Sequence, residues 1–213
     1  MHISFIADKY MPSTTRLTIG RYRHQVFVQG LQWKLPAVDD IERDEFDVAS
    51  AMHVLVYDDA GALIGYARLL PTTQPYLLGT HFPHLVDGGL LPCSRFVWEL
   101  SRFAASDVAN VVDGDWPPVQ SQVGERLLRE AIRFVASQGG RQIVFCTTVA
   151  IERLAMHRGF DVERLGPPHY DGNDWLVAAR IHCNQLTIGA NVKAGVPTLK
   201  PAHPTSQAAP VFA

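Results

Sequence analysis

The chain has 213 residues, 47% of them hydrophobic, and a formal net charge of −2 at neutral pH. This length and apolar content are sufficient for one domain with a substantial core, and the near-neutral charge argues against nucleic-acid binding. Three widely spaced cysteines, Cys93, Cys146 and Cys183, suggest neither a disulfide framework nor a zinc site. Because no segment resembles a signal peptide or an apolar span of about 18 residues, we expect a cytoplasmic protein without membrane contact.

The first half of the chain predicts a strand, a helix, a loop and a β-hairpin. Residues 2–6 alternate as in a short strand, and apolar positions within 14–31 follow helical spacing in part, although two glycines weaken the pattern. The acidic segment 34–50 shows no period and is predicted to be a loop. Residues 52–57 and 63–70 flank an Asp-Asp-Ala-Gly turn, which indicates antiparallel pairing of two strands.

The second half predicts strands that alternate with helices. After a proline-punctuated irregular segment, residues 95–104 read as a buried central strand. The clearest amphipathic helix covers 123–135 and is closed by two consecutive glycines. A strand at 141–147, a short helix at 150–158 and a final strand at 175–183 follow.

This order of elements predicts the fold class. A hairpin followed by a strand–helix–strand–helix series favours a single α/β domain with a mixed, mostly antiparallel sheet and helices on both faces. We assign this domain to residues 1–188. Residues 189–213 lose all periodicity and are rich in Ala, Pro, Gly and Thr, so this tail is predicted to be disordered.

Two charged residues, Glu99 and Arg102, lie within the aromatic-rich central strand. Removing an unpaired ion from water is costly, so each must find partners or a charged ligand. The acidic segment 42–47 and two other arginines, Arg23 and Arg68, supply candidate partners. The remainder of the chain can be interpreted as a scaffold for this charged group.

The spacing of these two residues also makes a geometric prediction. Side chains alternate along a regular strand, so residues three apart point to opposite faces of the sheet. If Glu99 and Arg102 serve one site, the strand must carry a bulge or sharp twist between Leu100 and Ser101.

A set of motif positions extends over about residues 20–105 and, more weakly, over Thr147–Leu154. The set consists of Tyr22-Arg23, Val26-Phe27, Trp33, Asp44, Asp47, Gly65, Arg68-Leu69, Pro71-Thr72, Phe82 and Trp98-Glu99-Leu100-Ser101-Arg102-Phe103. In these residues the chain resembles the LuxI-type acyl-homoserine-lactone synthases, the autoinducer synthases of bacterial quorum sensing.

The resemblance implies a fold similar to that of the N-acetyltransferases, in which central strands splay apart to admit a pantetheine thioester. It also implies a transfer of an acyl chain from an acyl carrier protein to S-adenosylmethionine, followed by lactone formation and release of methylthioadenosine. The chain departs from ordinary N-acetyltransferases because Gln122–Glu125 offers only one glycine for a pyrophosphate loop. This departure counts against a simple coenzyme A site, although coenzyme A stays open as the carrier.

The residue types suit these substrates. The methionine end of S-adenosylmethionine carries an ammonium, a carboxylate and a sulfonium, which call for carboxylates, guanidinium groups and an aromatic face together. The predicted S-adenosylmethionine-binding group is Arg23, Phe27, Trp33, Asp44, Asp47, Arg68 and Phe82. The alternative is that the acids and arginines form only a structural ion-pair network and that Phe82 only packs in the core.

Glu99, Ser101 and Arg102 are the predicted catalytic residues. Glu99 would act as general base, directly or through water, and take a proton from the substrate ammonium. A backbone amide near the splay, together with Arg102, would stabilise the oxyanion.

Two further groups follow from the resemblance and from charge. The predicted acyl-chain pocket is Leu100, Phe103, Thr147, Thr148 and Leu154, where a threonine could bond a 3-oxo group or only pack. The predicted docking surface for the acidic carrier is Arg126, Arg129, Arg133, Arg153 and Arg158, for which the alternative is a solvated helix face. No metal or cofactor is predicted, since S-adenosylmethionine would be a substrate.

Three other functions remain to be weighed. An N-acyltransferase that uses coenzyme A thioesters on another amine would not require the Trp33, Asp44 and Asp47 grouping. A non-catalytic acyl-carrier-binding regulator would have no reason to retain Glu99 with Arg102. A methyltransferase is disfavoured because no strand is followed by a Gly-x-Gly turn that opens a helix.

Overall fold

The computed structural model describes residues 1–108 and 121–184. The tail predicted to be disordered at 189–213 therefore lies outside the described residues. Among the helices of the described part, none is both long enough and apolar enough to cross a membrane.

The described elements comprise ten strands and four α-helices. The strands are β1 (His2–Ala7), β2 (Ala37–Val38), β3 (Ile41–Glu42), β4 (Met52–Tyr57), β5 (Leu63–Pro71), β6 (Val97–Ala104), β7 (Gln142–Thr148), β8 (Val162–Arg164), β9 (His169–Tyr170) and β10 (Trp175–His182). The helices are α1 (Ser13–Arg23), which continues as a π-helix (His24–Gly30), α2 (Leu77–His81), α3 (Ser121–Ser137) and α4 (Val149–His157). Every predicted strand and helix is confirmed with small shifts at the ends. The elements that the sequence missed, β2, β3, β8, β9 and α2, are two to five residues long, too short to show a period.

The main sheet has the order β1-β4-β5-β6-β7-β10-β8, with β9 paired to β10. Its pairings are antiparallel except that between β6 and β7. Helices cover both faces, α3 and α4 on one and α1 and α2 on the other. The predicted α/β domain with a mixed, mostly antiparallel sheet is confirmed.

The helix α3 buries its apolar stripe against the centre of the sheet. The stripe consists of Val123, Leu127, Leu128, Ala131, Ile132 and Val135, each at most 5% exposed. Burial of this kind is the main favourable term in folding. The charged side chains of the central strands lie on the opposite face of the sheet, under α1 and α2.

The two central strands, β6 and β7, pair along only part of their length. Their parallel register joins Val97–Glu99 to Gln142–Val144, whereas β6 continues to Ala104 and β7 to Thr148. The strands therefore diverge directly after Glu99, as expected for a sheet that splays to admit an acyl thioester.

A close approach between α1 and β3 brings the acidic segment to the sheet. Gly20 lies in α1, and a Cβ atom there would overlap the Ile41 side chain and lie 3.4 Å from the Glu42 carbonyl oxygen. The absence of a side chain thus allows the acidic residues to reach the carboxyl end of α1, where Arg23 lies.

Candidate active site

Six buried charged side chains form a cluster on the face of the sheet that α1 covers. Three arginines come from three different elements, and three carboxylates come from β3 and the segment after it. They are Arg23, Arg68 and Arg102, and Glu42, Asp44 and Asp47, none with a side chain more than 4% exposed. The predicted partnership between the arginines and the acidic segment is thereby confirmed.

Arg23, the last residue of α1, contacts all three carboxylates. Its Nε donates to Glu42 Oε2 at 2.5 Å and its Nη1 donates to Asp47 Oδ1 at 2.7 Å. Its Nη2 is 3.6 Å from Asp44 Oδ2 and has no hydrogen-bond partner in the described part of the chain. One guanidinium nitrogen is therefore available to a ligand.

Arg68, on β5, is the most completely held of the three arginines. Its Nη1 donates to Asp44 Oδ1 at 2.5 Å and to Asp47 Oδ1 at 2.9 Å, and its Nη2 donates to Asp44 Oδ2 at 3.1 Å. Its Nε donates to Ser101 Oγ at 3.2 Å, and its Cζ lies 5.7 Å from the centre of the Phe46 ring. Ser101 therefore fixes an arginine.

Arg102, on β6, completes the cluster. Its Nη2 lies 2.8 Å from Asp44 Oδ2 and donates to Glu42 Oε1 at 3.2 Å. Its Nε has no hydrogen-bond partner within the described ranges 1–108 and 121–184. Like Arg23, it keeps one buried donor that the cluster does not use.

Charge balance explains how six ions tolerate burial. Three positive and three negative side chains alternate in space, so each loses water but gains opposite charges. Burial raises the pKa of Asp44 and of Asp47, but the neighbouring arginines, Arg68 for the first and Arg23 for the second, outweigh it and hold both pKa values below the ordinary range. The carboxylates thus stay ionised at neutral pH.

The strand β6 carries the irregularity that the spacing of Glu99 and Arg102 predicted. Between the pairs Arg68–Ser101 and Tyr66–Ala104 the register with β5 shifts, so β6 holds one extra residue. Arg102 has φ of +50°, in the left-handed region that L-residues seldom occupy. The bulge is confirmed, but it lies at Arg102, after Ser101, whereas the prediction placed it before Ser101. The positive φ at Arg102 is what re-aims its side chain.

The bulge decides which β6 side chains share the site. Ser101 and Arg102, adjacent in sequence, both reach the ionic cluster. Leu100 and Phe103 pack instead into the core on the α3 side. A regular strand could not present two adjacent residues to one face.

Glu99 occupies the point where β6 and β7 diverge and is only 1% exposed. Its Oε1 accepts from the Leu78 amide at 2.6 Å and its Oε2 accepts from the Leu77 amide at 2.9 Å. Burial raises the pKa of Glu99 to about 7, because it outweighs these hydrogen bonds and the positive charge of Arg68. A carboxyl group with such a pKa can both take and give a proton near neutral pH.

Aromatic rings adjoin the cluster at the π-helical end of α1. The Phe27 and Trp33 rings stack with centres 5.2 Å apart, and Arg102 Cζ lies 5.8 Å from the centre of Phe27. Phe82 does not join this pair and packs against the apolar group that contains Phe46. Two of the three predicted aromatics therefore come together beside an arginine.

The residues predicted for an acyl-chain pocket are dispersed. Leu100 and Phe103 are buried under α3, and Thr147 is buried in β7. Thr148 caps α4, where its Oγ1 accepts from the Ile151 amide at 3.4 Å. Leu154 is 39% exposed on α4, so its side chain does not join the buried pair.

The arginines predicted for docking differ in their charge environment. Arg129 donates to Glu125 and Arg133 to Glu130 within α3, and Arg158 also donates to Glu125. These glutamates neutralise much of the positive charge of the predicted docking surface. Arg126 on α3 and Arg153 on α4 are exposed.

Sequence reasoning did not assign several members to the site, although it offered the segment 42–47 as partners of the buried charges. Glu42, fully buried between Arg23 and Arg102, lies in an acidic run whose members look alike. Its spacing of two from Asp44, which places both on one side of an extended segment, is the signal that could have identified it. The Leu77 and Leu78 amides that bind Glu99 carry no sequence signal.

The sheet that diverges at a buried Glu99 first identifies the fold. An acyl-CoA N-acyltransferase from Pseudomonas aeruginosa shares this fold, with a TM-score of 0.56 over 84% of this chain and 97% of that chain at 14% identity. The fold is that of the N-acyltransferases.

The family follows from sequence. The model of the autoinducer synthase family matches residues 10–190. An acyl-homoserine-lactone synthase of Acinetobacter nosocomialis is 45% identical over 147 residues, 69% of this chain and 80% of that protein. The crystal structure of TofI in a ternary complex with an inhibitor and MTA has a TM-score of 0.77 and 34% identity over 88% of this chain and 95% of that chain. The chain belongs to the autoinducer synthase family and is an acyl-homoserine-lactone synthase.

Proposed function

We propose that the enzyme acylates S-adenosylmethionine with the thioester of an acyl carrier protein and then closes the lactone. The substrate amine attacks the thioester carbonyl, an amide bond forms, and the carrier leaves as a thiol. The substrate carboxylate then attacks its own γ-carbon, whose bond to the sulfonium breaks with the electron pair going to sulfur. The products are the acyl-homoserine lactone, methylthioadenosine and the free carrier, and no cofactor takes part.

The observation that carries the proposal is the position of Glu99. It lies where β6 and β7 diverge, which is where an extended thioester arm could enter the sheet, and it is on the same strand as Arg102. Its pKa of about 7, raised by burial, suits a base that removes a proton from an ammonium group. The two amides that bind its oxygens leave further lone pairs on each oxygen for that proton.

The ionic cluster supports binding of the amino-acid end of S-adenosylmethionine. Arg23 Nη2 and Arg102 Nε are buried donors without a partner among the described residues, and a buried donor left unpaired costs about 1–3 kcal/mol. A substrate carboxylate would satisfy them. The stacked pair of Phe27 and Trp33 offers aromatic faces beside Arg102 for the sulfonium or the adenine.

Positioning accounts for the second step. Attack by a carboxylate on its own γ-carbon needs no added base, but it needs the carboxylate held close and in line. Arginines fixed by Asp44, Asp47 and Glu42 can supply that restraint, since their own orientations are set by hydrogen bonds. Ser101 contributes through Arg68, which it holds at Nε.

The acyl donor is proposed to be a carrier protein. Gly124, the single glycine of Gln122–Glu125, lies within α3, so this segment offers no glycine-rich pyrophosphate loop. Arg126 and Arg153 are exposed cations on α3 and α4 that suit an acidic partner. Leu100 and Phe103, buried on β6 in the core under α3, are proposed to contact the acyl chain.

The test is a reaction with defined components. Purified protein is incubated with S-adenosylmethionine and a panel of acyl-carrier and acyl-coenzyme A thioesters, and lactone and methylthioadenosine are quantified by mass spectrometry. We expect both products in equal amounts, with a higher kcat/KM for carrier thioesters. Efficient turnover with coenzyme A thioesters alone would overturn the proposed donor, and an acylated product without methylthioadenosine would overturn the proposed second step.

A further inference from the structure

A chain of polar side chains, buried except for the half-buried Arg16, lies beside the ionic cluster and takes no part in the proposed chemistry. It starts at Arg16, whose Nη1 donates to both carboxylate oxygens of Asp8, at 2.9 and 2.7 Å. Asp8 Oδ2 lies 3.3 Å from His53 Nε2, and His53 Nδ1 lies 2.7 Å from the Tyr66 hydroxyl. Tyr66 ends the chain, with its ring centre 5.8 Å from Arg23 Cζ.

The protonation state of this chain follows from its burial. His53 is 2% exposed, and burial lowers its pKa to about 4, so the imidazole is neutral near pH 7. Burial also raises the pKa of Tyr66 well above its ordinary value, so the phenol keeps its proton. A neutral imidazole has one donor and one acceptor nitrogen. The geometry fits a Tyr66 hydroxyl that donates to Nδ1. The proton of the neutral ring is then on Nε2, which lies 3.3 Å from Asp8 Oδ2 but makes no hydrogen bond to the described residues.

The chain holds the Tyr66 ring in a defined orientation. Tyr66 is fully buried, and its only side-chain oxygen is bound to a histidine that is itself fully enclosed on β4. The ring packs against Arg23, which also donates to Glu42 and Asp47 and lies 3.6 Å from Asp44 Oδ2. The ring therefore restrains the guanidinium in addition to its carboxylates, and with it the direction of Nη2.

We propose that His53 and Tyr66 are positioning residues which, by fixing the Arg23 guanidinium, set the affinity for the amino-acid end of S-adenosylmethionine. The inference rests on the proposed function, since it assigns Arg23 to that substrate. Neither residue touches the substrate. Their effect is confined to one substrate because the acyl donor enters at the divergence of β6 and β7, beside Glu99.

The decisive variant is Tyr66→Phe, which removes one hydroxyl and keeps the ring against Arg23. We expect the KM for S-adenosylmethionine to rise about five- to tenfold, the size of one buried hydrogen bond. The KM for the acyl donor and kcat should change less than about twofold. His53→Gln, whose amide can replace both a donor and an acceptor, should restore most of the affinity that His53→Leu loses.

The matched control is Tyr22→Phe. Tyr22 is buried in the same apolar group, but its hydroxyl is bound to the Ser106 backbone, as donor to the carbonyl and as acceptor from the amide. It should lose stability to urea without a change in the KM for S-adenosylmethionine. Thermal unfolding of every variant shows which of them are folded.

The outcomes separate this inference from the proposed function. If the parent makes no lactone with any donor, both the proposed function and the inference are wrong. If the parent is active and Tyr66→Phe keeps the parental KM, or raises the KM for both substrates alike, only the inference is overturned. If Tyr22→Phe raises the KM for S-adenosylmethionine as much as Tyr66→Phe, the effect is a general loss of packing and the inference is likewise wrong.

Discussion

Replacement of Glu99 by glutamine tests both the chemistry and the electrostatics of the site. The change removes the ionisable group and keeps the size of the side chain. As for the loss of a general base, kcat should fall by roughly two to four orders of magnitude. In the parent, kcat should rise with pH through an apparent pKa of about 7, where burial places the pKa of Glu99.

The same substitution has a stability signature of known sign. The pKa of Glu99 rises from 4.5 in the unfolded chain to about 7 in the fold, which corresponds to about 3 kcal/mol. Below pH 4.5 the carboxyl group is neutral in both states and imposes no penalty. As pH rises from 4.5 to 7, the unfolded chain releases a proton that the folded chain retains, so the free energy of unfolding decreases.

The pKa shift of His53 changes the free energy of unfolding in the opposite direction over part of this pH range, so the stability of the variant must be compared with that of the parent. Burial lowers the pKa of His53 from 6.5 to about 4, and its contribution to stability therefore grows as pH rises between these values. Parent and Glu99→Gln share His53, and its effect cancels in their difference. Relative to the parent, the variant should gain about 3 kcal/mol between pH 4.5 and pH 8, measured by urea unfolding.

A matched control is Glu152→Gln in α4. Glu152 is also fully buried, but its carboxylate is bound by Arg164 through two 2.5 Å hydrogen bonds, away from the cluster. It should lose stability and keep parental kcat and KM. Near-normal turnover of Glu99→Gln would refute the role of Glu99 as the base, and an unchanged pH dependence of stability would refute the effect of burial on its pKa.

Two further variants test how the acidic segment is held at the site and how the acyl carrier docks. Gly20→Ala should cost about 1–3 kcal/mol of stability and reduce kcat/KM, because the new Cβ displaces Ile41 and with it the acidic segment. The control is Gly124→Ala in α3, whose Cβ would meet Ala105 at an ordinary 3.4 Å and which should leave stability unchanged or higher. Equal losses of stability in both variants would refute the packing argument. The double reversal Arg126→Glu and Arg153→Glu should raise the KM for the carrier and weaken its salt dependence while the KM for S-adenosylmethionine stays constant. The control is Arg21→Glu, because Arg21 is exposed on the opposite side of the sheet. If the double variant and this control have the same KM for the carrier, Arg126 and Arg153 do not bind the carrier and only face solvent.

Elements with a clear hydrophobic period were predictable from the sequence. The helix α3 was evident from its apolar stripe at steps of three and four, because a single face of that helix is buried. The antiparallel pair of β4 and β5 was evident from the Asp-Asp-Ala-Gly turn that joins the two strands. The bulge in β6 was predicted from the spacing of Glu99 and Arg102 on the condition that both serve one site, since a regular strand cannot turn both to one face. Its position at Arg102, after Ser101, was not predicted.

The sequence by itself determined that the charges in β6 needed partners, because the free energy of burying an ion depends on residue type and burial. Which partners they obtained was decided only by the tertiary structure. Arg102 and Glu42 are 60 positions apart and meet because Gly20 lets β3 approach α1 and because Arg102 takes a positive φ. The pKa of Glu99 likewise depends on burial and on two backbone amides of α2, neither of which is a property of the local sequence.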